Sequence, residues 1–154
     1  MPFDALFLTA VRRELEGSLT GCRVDKVQQP QRDTLILSMR GAAGGGKLLL
    51  TASPNHPRIH LTNEPAENPA QPPMFCMLLR KHLQSARIRS VRALPNERIL
   101  AFELEGFDEL GHSEIKRIYA EIMGKYSNFF LCDGSDRILG ALHTTDITAK
   151  TRRI

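Results

Sequence analysis

An acid and an arginine stand side by side at Glu97-Arg98, between two stretches that alternate like β-strands. The position reads as a hairpin tip, where side chains reach solvent and meet partners. Arginine presents a planar fork that suits a phosphate or the edge of a base. The carboxylate beside it can orient that fork or accept from a base amino group. The same two residues can equally form a surface ion pair of little energetic weight, and residue chemistry alone leaves both readings open. Just upstream lie Arg80, Lys81, Arg87, Arg89 and Arg92, with Glu97 the only acid between Arg80 and Arg98. Such a run suits contacts to an RNA backbone, and it also suits a solvated charged face.

Other chemistries find little support. His56, His60, His82, His112 and His143 show no metal spacing with one another, with cysteine or with a carboxylate. Cys22, Cys76 and Cys132 sit far apart among apolar neighbours, without a CxxC pair, and read as buried free thiols. No GxSxG, HExxH or dinucleotide fingerprint occurs. The glycine-rich Gly41–Gly46 runs into Lys47-Leu48, so the Ser or Thr that closes a phosphate loop is missing. Ser127 is a lone hydroxyl with no evident base, and Asp108-Glu109 read as solvated turn acids. These residues predict no catalytic site, metal site, cofactor or small-molecule substrate.

The elements that must position Glu97-Arg98 follow from periodicity. Residues 3–19 read as a helix with Asp4 as cap, Phe3 as staple and an apolar face of Phe3, Phe7, Ala10, Val11, Leu15 and Leu19. Period-two stretches at Cys22–Gln28, Thr34–Arg40, Lys47–Ala52 and Arg58–Thr62 read as strands, with Gly41–Gly46 a flexible hairpin loop. The proline-rich 63–73 resists regular structure and leads into a second helix, with Pro72 and Pro73 near its first turn and Arg80, Lys81 and His82 near its end. Five more strands follow: Ile88–Leu94, Arg98–Glu105 (Leu100, Phe102 and Leu104 sharing a face), Glu114–Ile122, Asn128–Asp133 and Ile138–His143. The pattern predicts an α+β fold of antiparallel β-sheets with two flanking helices.

With 154 residues, 42% of them hydrophobic, the chain forms one domain able to bury a core without disulfides. No stretch approaches the roughly 20 apolar residues of a membrane span. The start, Met1-Pro2-Phe3-Asp4, has no secretory pattern, so cytoplasm is the default and no membrane partner is expected. A net charge of +4 is only mildly basic. The polar, basic tail Thr144–Ile154 ends without a stop signal, which reads as a boundary inside a longer protein.

Several runs, in order along nearly the whole chain, resemble one family. They are Phe3-Asp4, Arg23-Val24-Asp25-Lys26-Val27, Pro57-Arg58-Ile59-His60-Leu61-Thr62, Asn68-Pro69, Pro72 through Leu83, and Glu121-Ile122-Met123-Gly124-Lys125-Tyr126-Ser127-Asn128. Together they are similar to the N-terminal domain of the NFACT proteins, the RqcH/NEMF family of ribosome-associated quality-control factors. The resemblance implies a tRNA-binding module whose partners are alanyl-tRNA and the large ribosomal subunit carrying a stalled peptidyl-tRNA. It implies mRNA-independent tailing of the nascent chain by the whole factor, which needs further domains. The family's Asp-Arg pair falls on Glu97-Arg98, with Glu in place of Asp, so Arg98 carries the firmer expectation. The resemblance extends in fold to the N-terminal domain of Fpg/Nei DNA glycosylases, which use an N-terminal proline followed by a glutamate. Here Pro2 is followed by Phe3, which argues against that chemistry. A fibronectin-binding surface adhesin, a label relatives often carry, is the other alternative, and nothing in the sequence marks export.

Overall fold

The computed structural model describes residues 5–41, 44–53, 57–63, 71–94, 98–122 and 127–143. Asp4, Phe3 and Pro2, and with them the expected cap, staple and N-terminal amine, lie outside the described residues. Helix α1 (Ala5–Leu19) is followed by β1 (Arg23–Gln31), β2 (Thr34–Gly41), β3 (Gly44–Thr51) and β4 (Arg58–Thr62). Helix α2 (Met74–Leu83) leads to β5 (Arg87–Leu94), β6 (Ile99–Phe107), β7 (Ser113–Glu121), β8 (Asn128–Asp133) and β9 (Ile138–Ala141).

The expected strands pair antiparallel, but in one nine-stranded sheet ordered β4-β3-β2-β1-β5-β6-β7-β8-β9. Strands joined by short turns are neighbours, and α2 alone carries the chain from the outer strand β4 back to the middle. There β1 and β5 touch only at their first residues, Arg23 opposite Arg87. Backbone bonds Gly21 N–H to Ile88 O (2.8 Å), Ile88 N–H to Cys22 O (2.9 Å) and Val24 N–H to Ala86 O (2.8 Å) seal that joint. From it the two strands run in opposite directions, dividing the sheet into two wings.

One core joins both wings and both helices. It holds Leu8, Leu15 and Leu19 of α1, Phe75, Leu79 and Leu83 of α2, Leu35, Leu37, Leu48 and Leu50 of one wing, and Leu100, Phe102 and Leu104 of the other. The period-two reading of β6 is thereby met. In α1 the buried stripe uses Leu8 where Ala10 was expected. Ala10 is exposed, while Leu8, Val11, Leu15 and Leu19 keep the three-and-four spacing of one helix face. Residues Ile99, Ala101, Tyr119, Phe130, Cys132 and Ala141 form a second, smaller cluster on the opposite face of the β6–β9 wing.

Several boundaries shift from the sequence reading, and three of the shifts have a local cause. The glycine run is mostly strand: Gly41 pairs with Gly44, Arg40 with Gly45 and Met39 with Gly46. Ladder hydrogen bonds need only backbone, and glycine tolerates the φ of +148° at Gly46. Strand β1 continues through Pro30 to Gln31, across a register shift between Gln28 and Gln31, the kind of irregular position that admits proline. Strand β6 begins at Ile99, because Arg98 has left-handed backbone with φ 55°.

Helix α2 also covers the open edge of β1. The Arg80 Nε donates to the Val27 carbonyl at 3.0 Å, the Cys76 thiol reaches the same oxygen at 3.7 Å, and Gln84 Nε2 donates to Asp25 O at 2.7 Å. Edge carbonyls are thus satisfied by side chains from a helix.

Candidate nucleic-acid interface

Arg98 and the described ends of the second block, Glu121-Ile122 and Ser127-Asn128, meet at one rim of the β5–β9 wing. Arg98 closes the β5–β6 turn, and its carbonyl accepts the Ile122 N–H at 3.0 Å. A non-glycine residue in left-handed backbone is held there by its surroundings. Its side chain is exposed and takes no hydrogen bond or ion pair among the described residues. Glu97 lies outside the described residues, as do Met123 through Tyr126.

Along the same rim, Ile99 stands opposite Glu121 and Glu121 opposite Asn128. Ser127, Asn128 and Glu121 are fully buried. Asn128 clasps the chain just past β9. Its Oδ1 accepts from Phe129 N–H and His143 N–H, both at 2.9 Å, and its Nδ2 donates to His143 O at 3.0 Å. This half of the Lys125-Tyr126-Ser127-Asn128 run therefore shapes a strand junction.

The basic stretch is divided. Arg80 is turned toward the edge of β1, where its guanidinium also draws the Cys76 thiol pKa down against the larger upward push of burial. Lys81 is exposed beside an apolar groove formed by Met74, Met77, Leu78 and Leu139. Arg87, Arg89 and Arg92 are exposed on β5. Arg89, at the register shift between Ile88 and Ser90, approaches Glu105 at 3.6 Å. Arg87 and Arg92 make no ion pair among the described residues. Arg92 stands two residues before the end of β5, so it is the member of the stretch nearest the Arg98 turn.

The thiols stand as the sequence suggests. All three cysteines are free and buried. Burial, with Asp136 and Asp133 behind it, pushes the Cys132 thiol up to about 12. No group of three or more potential metal ligands occurs among the described residues. Asp108 Oδ1 accepts from Leu110 N–H at 2.9 Å and His112 N–H at 2.8 Å, so this acid organises its own turn. No helix among the described residues is long and apolar enough to cross a membrane.

Sequence reasoning missed Gln29. It is buried where β1, the N-terminus of α2 and the end of β9 converge. A glutamine before a proline at a strand end was the only trace of it in the sequence.

A family model described as NFACT N-terminal and middle domains matches residues 4–154. The Rqc2 homolog RqcH of Bacillus subtilis is 37% identical over 139 residues, covering 90% of this chain and 24% of that protein. The human ribosome quality control complex subunit NEMF is 33% identical over 117 residues, 76% of this chain and 10% of that protein. Among solved structures, the N-terminal domain of fibronectin-binding protein PavA from Streptococcus pneumoniae superimposes with a TM-score of 0.87 at 39% identity, over 92% of this chain and 54% of that one. The N-terminal part of the fibronectin/fibrinogen-binding protein from Streptococcus suis gives 0.88 at 39% identity, over 92% and 53%. The chain thus spans about a quarter of the bacterial relative and about half of each of these solved chains.

Proposed function

The chain belongs to the NFACT N-terminal family, and on that premise we propose that it is the tRNA-binding module of a cytoplasmic, ribosome-associated quality-control factor. In this reading a longer protein binds large ribosomal subunits that hold a stalled peptidyl-tRNA. It recruits alanyl-tRNA there, and the nascent chain grows a tail without mRNA. This domain supplies RNA contact and no catalytic group. Pro2 is followed by Phe3 and not by the glutamate of the Fpg/Nei glycosylases, so borohydride should trap no adduct with damaged DNA.

The observation that carries the reading is Arg98. An exposed guanidinium without a described partner is held on left-handed backbone, and its carbonyl is tied to Ile122. The backbone that carries the fork is already ordered, so binding RNA costs only the freedom of the side chain. Glu97 and Arg98 are the tRNA-contacting pair. Exposed Arg87 and Arg92, with Lys81 and Arg89, contact the backbone, and Arg80 contributes least because β1 already engages it.

The test is tRNA binding by this chain across a salt series. An affinity whose logarithm falls linearly with the logarithm of salt, and which exceeds affinity for heparin, supports the module. Equal binding of tRNA and heparin removes specific recognition. In the complete factor, Arg98→Ala abolishes tailing while the domain stays folded; normal tailing takes the pair out of the mechanism.

The names of the solved neighbours favour a second reading, fibronectin binding, which would make the protein a surface adhesin. Saturable binding to immobilised fibronectin, with recovery of the protein chiefly at the surface on cell fractionation, would establish it.

A further inference from the structure

A cleft of about 360 Å³ opens where the end of β1, the N-terminus of α2 and the end of β9 meet. We propose that it holds one unstacked nucleotide of an RNA lying along the Arg98 rim; this rests on the RNA-binding reading above.

Position is the first support. Leu142 lines the cleft, and the next residue, His143, is the one Asn128 clasps. The cleft therefore continues the rim that starts at Arg98. From β6 to β9 is three strand spacings, roughly 14 Å at about 4.8 Å each, a span that an RNA loop of a few nucleotides can cover.

The chemistry of the walls is the second. Pro30, Pro73, Phe75 and Leu142 give apolar sides suited to a planar base. Two polar features lie among them. At the N-terminus of α2, Pro73 offers no side-chain cap and the first turn holds no acid. Its first-turn amides have no intrahelical carbonyl to meet and favour a phosphate, and the exposed Arg32 lines the same cleft. Gln29 is 4% exposed. Its Nε2 donates to Arg32 O at 3.0 Å, while its buried Oε1 has no hydrogen-bond partner among the described residues. A buried acceptor left unsatisfied is uncommon and calls for a donor.

A lone anion fits the helix terminus and leaves the amide oxygen unmatched. A purely apolar side chain leaves both unmatched. A nucleotide supplies phosphate for the amides, a flat apolar face for the walls and a base N–H for Gln29 Oε1. The exposed, unbranched Met74 and the exposed Arg32 at the mouth can yield to an entering base.

The test measures labelled tRNA against the wild-type chain, Gln29→Leu and Arg32→Glu at fixed salt, with thermal melting alongside. Gln29→Leu should weaken tRNA binding about tenfold, in the range of one base contact. It should leave heparin binding unchanged, because no charge is altered, and melt close to wild type. Wild-type tRNA affinity in a folded Gln29→Leu chain overturns the inference and leaves the Arg98 reading standing. Absence of tRNA binding by the wild-type chain overturns both. Should Gln29→Leu fold poorly, Arg32→Glu carries the same test. Its loss of tRNA affinity must exceed its loss of heparin affinity, and equal losses count against the cleft.

Discussion

Three described residues other than glycine adopt left-handed backbone, Asp136 among them, and two of the three stand at opposite ends of β5: Ser85 with φ 68° and Arg98 with φ 55°. At Ser85 the conformation is consumed by the backbone. Its N–H donates to Val24 O at 2.9 Å, and its carbonyl accepts from the Arg23 guanidinium at 3.4 Å. The joint between the wings is sealed, and little is left for a ligand. At Arg98 the carbonyl is engaged, but the side chain faces solvent. Strain of the same kind and similar cost closes a fold at one end and presents a cation at the other. Where ladders complete themselves the surface is inert. Where a polar side chain is left unmatched, as at Gln29, a binding group remains.

The contrast can be broken most sharply at Asn128. Asn128→Ala removes three hydrogen bonds from a fully buried position and should cost about 2–4 kcal/mol in denaturant unfolding. A loss under about 1 kcal/mol means the rim holds itself by other means. Next comes the left-handed pair. Ser85→Gly and Arg98→Gly should each stabilise by about 1 kcal/mol, because the Cβ penalty disappears. Only Arg98→Gly should also lose tRNA affinity, and equal behaviour of the two in binding would erase the distinction. Smaller still, Arg92→Ala should lower the slope of log affinity against log salt by about one, while Arg80→Ala leaves the slope nearly unchanged.

The smallest effect is with pH. Burial, and then Lys116 and Lys81, hold the His82 pKa below its ordinary value of 6.5. The unfolded chain therefore takes up the proton first, and stability is lost as pH falls through 6.5. Asp133, whose pKa is depressed chiefly by the Arg137 backbone N–H and also by that of Ser135, adds a further loss as pH falls below the ordinary carboxylate value. The melting temperature should drop by a few degrees between pH 7 and 5, and His82→Gln should remove most of that drop. An undiminished drop assigns it elsewhere.

Much of the fold was legible because the main core takes every second residue of β2 and β6 and a three-and-four spacing on α1. The order of the strands was not. That α2 returns the chain to the middle of the sheet depends on contacts such as Arg80 to Val27, 53 residues apart, which no local pattern encodes. The site was legible in part. Arg98 announced itself as an arginine at a turn, but its left-handed backbone is a property of the closed turn. Gln29 looked like an ordinary polar strand residue, and only the convergence of three distant elements makes it an unmatched acceptor. The basic stretch looked continuous because sequence distance hides the turn between α2 and β5.

The covering of β1 by α2 has a consequence for synthesis. The residues that shield the edge follow it by 49 to 59 positions. The β1–β2 hairpin is complete at Gly41, so at roughly 5–20 residues per second it waits about 2–9 s before Gln84 exists to close it. During that interval its free carbonyls can recruit a strand from a neighbouring polypeptide, so slow translation through residues 60–84 should raise the yield of aggregate without altering the finished protein.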